Sequence, residues 1–192
     1  MTGVYKPAED SELLLRHARL RFRGSVLDMG TGSGFLAVEA ASDPRVSRVV
    51  AVDIDPDALE SARDRVGAAE VTTKVEFVLS DLFEGLEDEM FDLIMFNPPY
   101  LPSEGYVDEL SWSGGVAGSE TVLRFLDEAE DHLNPDGEIL MIYSSGSGFT
   151  LADSDVKYSA TILEELPLFF ERLYCVLLRP PSPSGGPNRI RR

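Results

Sequence analysis

Residues 97–100 read Asn-Pro-Pro-Tyr, directly behind the mostly apolar run 91–96. Pro98 and Pro99 have no N–H and a fixed φ, and each pushes the residue before it away from the helical region. What remains is a stiff corner offering carbonyl acceptors, the Asn97 amide and the Tyr100 ring. A planar NH2 group wants such a partner: two acceptors in its plane and a flat face to stack on. A plain turn closing a strand is the competing interpretation. The corner recognises the NH2 and not its owner, so a carboxamide, adenine N6 and guanine N2 all stay open. A lysine amine is a further acceptor, though its tetrahedral nitrogen uses a planar clamp less well.

A second group of residues suits a nucleoside. Asp28-Met29-Gly30-Thr31-Gly32-Ser33-Gly34 leads from a short apolar run into a helical one. That arrangement sets backbone N–H groups and a helix N-terminus at one end of a sheet. The spacing Gly30-x-Gly32-x-Gly34 is not the G-x-G-x-x-G of dinucleotide folds. Asp53 ends the next strand about twenty residues on, where a carboxylate takes both ribose hydroxyls. Asp81 ends the third strand, in reach of an adenine amine, and Asp28 is placed to face a ligand amino group. Three strand-end carboxylates beside the loop, with no Lys or Arg in it, suit a cationic nucleoside and exclude a P-loop. Asp55 and Asp57 read as helix-cap residues, and the acids of 84–89 as a solvated turn.

The elements that must hold these residues alternate. The patterning predicts helices over 11–19, 35–41, 57–66 and 119–133, with Asp10 or Ser11 capping the first and Pro56 opening the third. The fourth is expected to stop at Asn134-Pro135-Asp136-Gly137. Strands are expected over 25–28, 48–52, 75–79, 91–96, 138–143 and 171–178, and a short helix and a strand near 160–163 between the last two. Strands separated by helices imply an α/β fold, a mostly parallel sheet covered on both faces. Residues 1–179 form one domain of a size that buries a substantial core, and 180–192, rich in Pro, Ser and Gly, read as a disordered tail.

Bulk properties narrow the partners. The net charge is −17 over 192 residues, and the acids are spread along the chain. Such a surface suits a cytoplasm of high salt, as in a halophile, and argues against direct nucleic-acid binding, which needs a basic face. No apolar run is long enough to span a bilayer and no signal-peptide pattern opens the chain, so a cytoplasmic protein is expected. Cys175 has no partner for a disulfide and sits in an apolar run. With His17 and His132 it makes no readable metal site.

The run Val26-Leu27-Asp28-Met29-Gly30-Thr31-Gly32-Ser33-Gly34 together with Asn97-Pro98-Pro99-Tyr100 resembles the class I S-adenosylmethionine-dependent N-methyltransferases, whose fold is Rossmann-like with seven strands. More narrowly, Tyr5-x-Pro7-Ala8-Glu9-Asp10-Ser11 and Trp112-Ser113-Gly114-Gly115-Val116-Ala117-Gly118 resemble the HemK family. That family methylates the glutamine of the Gly-Gly-Gln motif in peptide-chain release factors. Bacterial members carry an N-terminal helical domain; a chain that starts almost at the first motif resembles the short archaeal and eukaryotic branch. That branch pairs, along the sheet edge near the third strand, with a small zinc-binding activator protein shared among methyltransferases.

The resemblance implies S-adenosylmethionine as cofactor, bound by the glycine loop (Gly30, Gly32, Gly34), Asp28, Asp53 and Asp81, with Asn97 against it. Tyr5, Pro7 and Ser11 would close over its methionine end. Asn97 and Pro98 would hold the substrate amide, Pro99 would stiffen the clamp and Tyr100 would stack on it. Lys6 departs from the family pattern, as does the stretch 144–163. The expected chemistry is transfer to a glutamine amide nitrogen without a dedicated base. The rivals are an exocyclic amine of DNA or RNA and, from another class, a scaffold subunit that binds cofactor without turnover.

Overall fold

The computed structural model describes residues 9–98, 116–151 and 157–181. Helix α1 (Glu9–Ala18) precedes strand β1 (Gly24–Met29), and α2 (Phe35–Ser42) leads to β2 (Val46–Asp53). Then come α3 (Pro56–Ala68), β3 (Val75–Leu79), β4 (Phe91–Phe96), α4 (Val116–Ala129), β5 (Leu133–Ser144), β6 (Ser159–Pro167) and β7 (Arg172–Arg179). The seven strands form one sheet in the order β3-β2-β1-β4-β5-β7-β6. The first five are parallel where they pair, while β7 runs antiparallel to both neighbours.

Two apolar layers sandwich the sheet. One joins α1, α2 and α3 to the sheet through Leu14, Ala37 and Val66 against Val49 and Leu140. The other packs Phe125 of α4 and the buried Phe83 and Leu86 against Phe96 and Ile139. Central strands buried on both faces read as near-continuous apolar runs, which is why β1, β2 and β4 are legible in the sequence. Local chemistry sets the starts: Asp55 caps α3 by accepting from the Asp57 N–H at 2.9 Å, with Pro56 in the first turn. Cys175 is buried, and burial pushes its thiol up to about 12.

Several boundaries differ from expectation. Helix α1 begins at Glu9, so Asp10 and Ser11 lie inside its first turn, both buried, instead of capping it. Helix α4 ends at Ala129, a 3-10 turn Glu130–His132 follows, and β5 already pairs at Leu133. The expected stop at 134–137 is a bulge within the strand: Phe91 pairs with Leu133, but Leu93 pairs with Glu138. Asn134 Nδ2 donates to Asp92 across the bulge at 3.0 Å. A Cβ on Gly137 would come within 2.8 Å of the Phe91 carbonyl, so only glycine fits there. The strand expected at 160–163 is the longer β6, and Glu89 is no solvated turn residue, since it pairs with Arg48. No helix among the described residues is long and apolar enough to cross a membrane.

Candidate functional site

Register brings the strand ends together. Met29 pairs with Val52 on one side and Phe96 on the other, and Asp53 pairs with Leu79. The residues just past or at these ends, Ser80, Asp53, Gly30 and Asn97, therefore share one rim. Between β1 and β4 the order of strand addition reverses, and the crevice outside such a switch point is where α/β sheets bind ligands. Parallel strands about 4.8 Å apart put Asp53 and Asn97, two strands away, about 10 Å from each other.

The glycine loop is held from below. The Thr31 N–H donates to the Val52 carbonyl at 2.8 Å, and the Gly34 N–H to the Thr31 carbonyl at 2.9 Å. Gly34 has φ 75°, and a Cβ there would sit 2.9 Å from Ala62, so this glycine lets α2 meet α3. Gly32 serves a different end: a Cβ on it would touch nothing within 4 Å, which leaves open space above the loop. Its N–H donates to Asp53 Oδ2 at 2.8 Å, and Asp53 Oδ1 accepts from the Asp55 N–H at 3.0 Å. Asp53 is thus aimed by backbone donors while each oxygen keeps further acceptor capacity.

Asp28 lies beneath the loop, 1% exposed, and accepts from the Thr31 hydroxyl at 2.7 Å. Burial pushes its carboxyl up to about 7, against the downward pull of the Thr31 hydroxyl and an Ala37 backbone bond; the Asp53 charge adds a little. It therefore titrates near neutrality, and a cation arriving at the loop favours its ionised form.

Beyond Asp53, a cleft of about 350 Å³ is lined by Ile54, Leu79, Ser80, Asp81, Glu84 and Gly85. Ile54 and Leu79 are 67% and 60% exposed, apolar flanks of the kind a flat heterocycle covers. The Ser80 N–H donates to the Asp53 carbonyl at 3.0 Å, tying the two strand ends. Asp81 meets both terminal nitrogens of Arg124, on α4, at 3.2 Å. Sequence reasoning missed Ile54, Leu79 and Arg124. The signal for Arg124 was present: it is the single basic residue of α4.

At the other side of the loop, Asn97 Nδ2 donates to Ser11 Oγ at 3.4 Å, which brings the first turn of α1 onto the β4 end. Asn97 Oδ1 is buried and has no hydrogen-bond partner among the described residues. Leaving such an acceptor unpaired costs about 1–3 kcal/mol, so the site lacks a donor that a bound ligand would bring. Pro98 is buried beside it. Tyr5, Pro7, Pro99 and Tyr100 lie outside the described residues. So do Trp112 to Gly115 and the tail from residue 182 on.

A cationic nucleoside fits this rim: carboxylates at Asp53 and Asp81, open space over Gly32, apolar flanks at Ile54 and Leu79, and no basic side chain in the loop. Asp28, expected to face a ligand amino group, is instead buried beneath the loop on Thr31. Among the described residues no cluster of three or more His, Cys, Asp or Glu suits a metal ion.

Comparison with known proteins gives the family. Residues 6–153 match the family described as the methyltransferase small domain. A Methanocaldococcus jannaschii protein named as a putative protein N5-glutamine methyltransferase is 32% identical, over 90% of this chain and 90% of its own. The release factor glutamine methyltransferase of Rhodopirellula baltica is 36% identical over 81% of this chain and 60% of its own, so this chain spans under two thirds of that relative. Among solved structures, the E. cuniculi Mtq2-Trm112 complex, described as responsible for methylation of the translation termination factor eRF1, superposes with TM-score 0.69. There the identity is 26%, over 92% of this chain and 98% of that one.

Proposed function

The chain belongs to the methyltransferase small domain family, and from that premise we propose that it methylates the side-chain amide nitrogen of the Gly-Gly-Gln glutamine in a peptide-chain release factor, with S-adenosylmethionine as donor. The names of its relatives support the substrate, and one observation in the site supports the chemistry: Asn97 Oδ1, buried beside the glycine loop with no partner among the described residues.

An amide nitrogen is a poor nucleophile because its lone pair is delocalised into its carbonyl. Asn97 Oδ1 and the Pro98 carbonyl accept its two hydrogens, which fixes the amide plane and turns the nitrogen toward the loop. Asp53 holds the ribose hydroxyls, Asp81 the adenine amine, and Ser11 steadies the Asn97 amide from the other end. For Tyr100, Tyr5 and Pro7, outside the described residues, the family resemblance gives the roles: Tyr100 the face of the substrate amide, Tyr5 and Pro7 the methionine end of the cofactor. S-adenosylmethionine supplies an electrophilic methyl whose bonding pair stays on sulfur when the N–C bond forms. The nitrogen then sheds a proton to solvent, so the chain's contribution is positioning and electrostatics.

A small zinc-binding activator is the proposed partner, docked on β3. That strand is an edge of the sheet, and its Leu79 stands 60% exposed. The net charge of −17 supports a protein substrate over nucleic acid. A cytoplasmic location is consistent with a translation substrate. The test is mass spectrometry of a release factor incubated with S-adenosylmethionine and the chain, with and without the activator. A gain of one methyl on the glutamine supports the reading. Methylation of DNA or RNA with none on the protein refutes it.

A further inference from the structure

The β6–β7 turn carries two phenylalanines that, among the described residues, pack against little but each other. Phe169 and Phe170 are 92% and 94% exposed, and their rings meet edge to face with centroids 4.7 Å apart. In a chain this acidic, two adjacent bare phenylalanines are a strong exception, and large exposed aromatics are the side chains that anchor protein interfaces.

Their position in the fold says what they face. Strand β7 runs antiparallel to β5, pairing Leu173 with Ser144, and β6 pairs Pro167 with Arg172. The turn therefore lies at the carboxyl end of β5, on the same rim as Asn97 at the end of β4. It is fastened there: the Leu168 N–H donates to the Glu171 carbonyl at 2.8 Å, closing the turn. Ser145 exchanges two bonds with Arg172, at 2.8 and 3.0 Å, and the Ser144 hydroxyl donates to Glu171. From β4 to β6 is three strand spacings, about 14 Å. The interval holds a groove of about 1060 Å³, lined in part by Tyr143, Phe149, Thr150, Leu151 and Tyr174.

We propose that the Phe169–Phe170 turn is a docking anchor for the folded protein that carries the acceptor glutamine. This rests on the glutamine reading above. A glutamine reaching Asn97 is borne by a protein surface laid across the rim. The register also sets the turn about five residues beyond the level of Asn97, so it lies about 20 Å away; a standard interface covers about 800 Å² per partner, a patch about 30 Å across, which spans both. The proposed cofactor site is on the β1–β3 side of the rim, and the fastened backbone of the turn lowers the ordering cost of presenting its rings at binding. High salt screens ion pairs on this acidic surface but spares apolar contact, which makes a bare aromatic pair the anchor suited to it.

The experiment compares the intact chain with its Phe169→Ser/Phe170→Ser variant on two substrates, a whole release factor and a short Gly-Gly-Gln peptide. With the side chains already in solvent, urea midpoints should agree within error. The expected result is a tenfold or larger rise in KM for the whole factor, unchanged kcat, unchanged peptide turnover, and partial rescue by Phe169→Leu/Phe170→Leu. An unchanged KM for the factor overturns the proposal. So does equal loss on the peptide, which would place the turn in the site itself, and so does loss of self-association or of activator binding with KM unmoved. If the unaltered chain, with the activator present, methylates neither substrate, the glutamine reading fails and takes the anchor with it.

Discussion

On the β1–β3 side of the rim the polar groups are largely engaged within the chain: Gly32 N–H on Asp53, Thr31 N–H on Val52, Ser80 N–H on Asp53, Asp81 on Arg124. On the β4–β6 side an acceptor is left over at Asn97 Oδ1, and two phenylalanines stand in solvent at the turn. The contrast teaches a division of labour. The parallel half is organised before any ligand arrives, as a preformed small-molecule site should be. The other half is incomplete alone and fits a substrate that brings its own donors and surface. If the division holds, changes on one side should move cofactor affinity or folding, and changes on the other should move turnover or substrate KM.

Gly34→Val tests the framework of the parallel half and should have the largest effect. It forces a branched side chain into positive φ and against Ala62, so a loss of about 2–4 kcal/mol in urea unfolding is expected. Asp53→Ala removes both the loop's acceptor and the ribose contact. Calorimetry should show cofactor affinity falling about a hundredfold, about 2.7 kcal/mol, with kcat at saturation much less affected. Were Asp53→Ala to bind normally, the nucleoside site would be misplaced.

Asp28 gives a pH-dependent test. Its folded-state value of about 7 lies above the ordinary 3.8, so between these values the folded chain holds about one more proton than the unfolded one. Stability from this group therefore falls as pH rises from about 4 to about 7, by at most about 1.4 kcal/mol per pH unit, and is level above. Asp28→Asn should flatten that slope when urea midpoints are followed over the range; an unchanged slope would show that Asp28 is ionised throughout. The smallest effect is expected from Arg124→Ala. Its pair with Asp81 is about half exposed and worth at most about 1 kcal/mol, so cofactor affinity should shift no more than a few-fold.

The same contrast marks what the sequence made legible. The parallel half rests on local signals: apolar runs buried on both faces, a glycine loop at a strand end, Asp55 and Pro56 at a helix start. Each is readable within a few residues. The other half depends on pairings between distant segments. That β7 inserts between β5 and β6 is settled by long-range hydrogen bonding, and nothing local in 159–179 announces it. The Asn134 to Gly137 stretch has turn chemistry, yet β4 alongside converts it into a bulge. Arg48 meeting Glu89 and Arg124 meeting Asp81 are likewise products of the fold. The placement of Asp28, Gly32, Asp53, Asp81 and Asn97 at or just past strand ends was legible, because each closes an apolar run. That Ile54 and Leu79 flank the cleft was not legible, because it depends on how β2 and β3 end side by side.

The most direct test of the division is Asn97→Ala, measured twice: S-adenosylmethionine affinity by calorimetry and methyl transfer to a glutamine peptide. The account predicts affinity within about threefold of the unaltered chain, with turnover lower by about a hundred- to a thousandfold. Affinity lost in step with turnover, or turnover retained without Asn97, would contradict it.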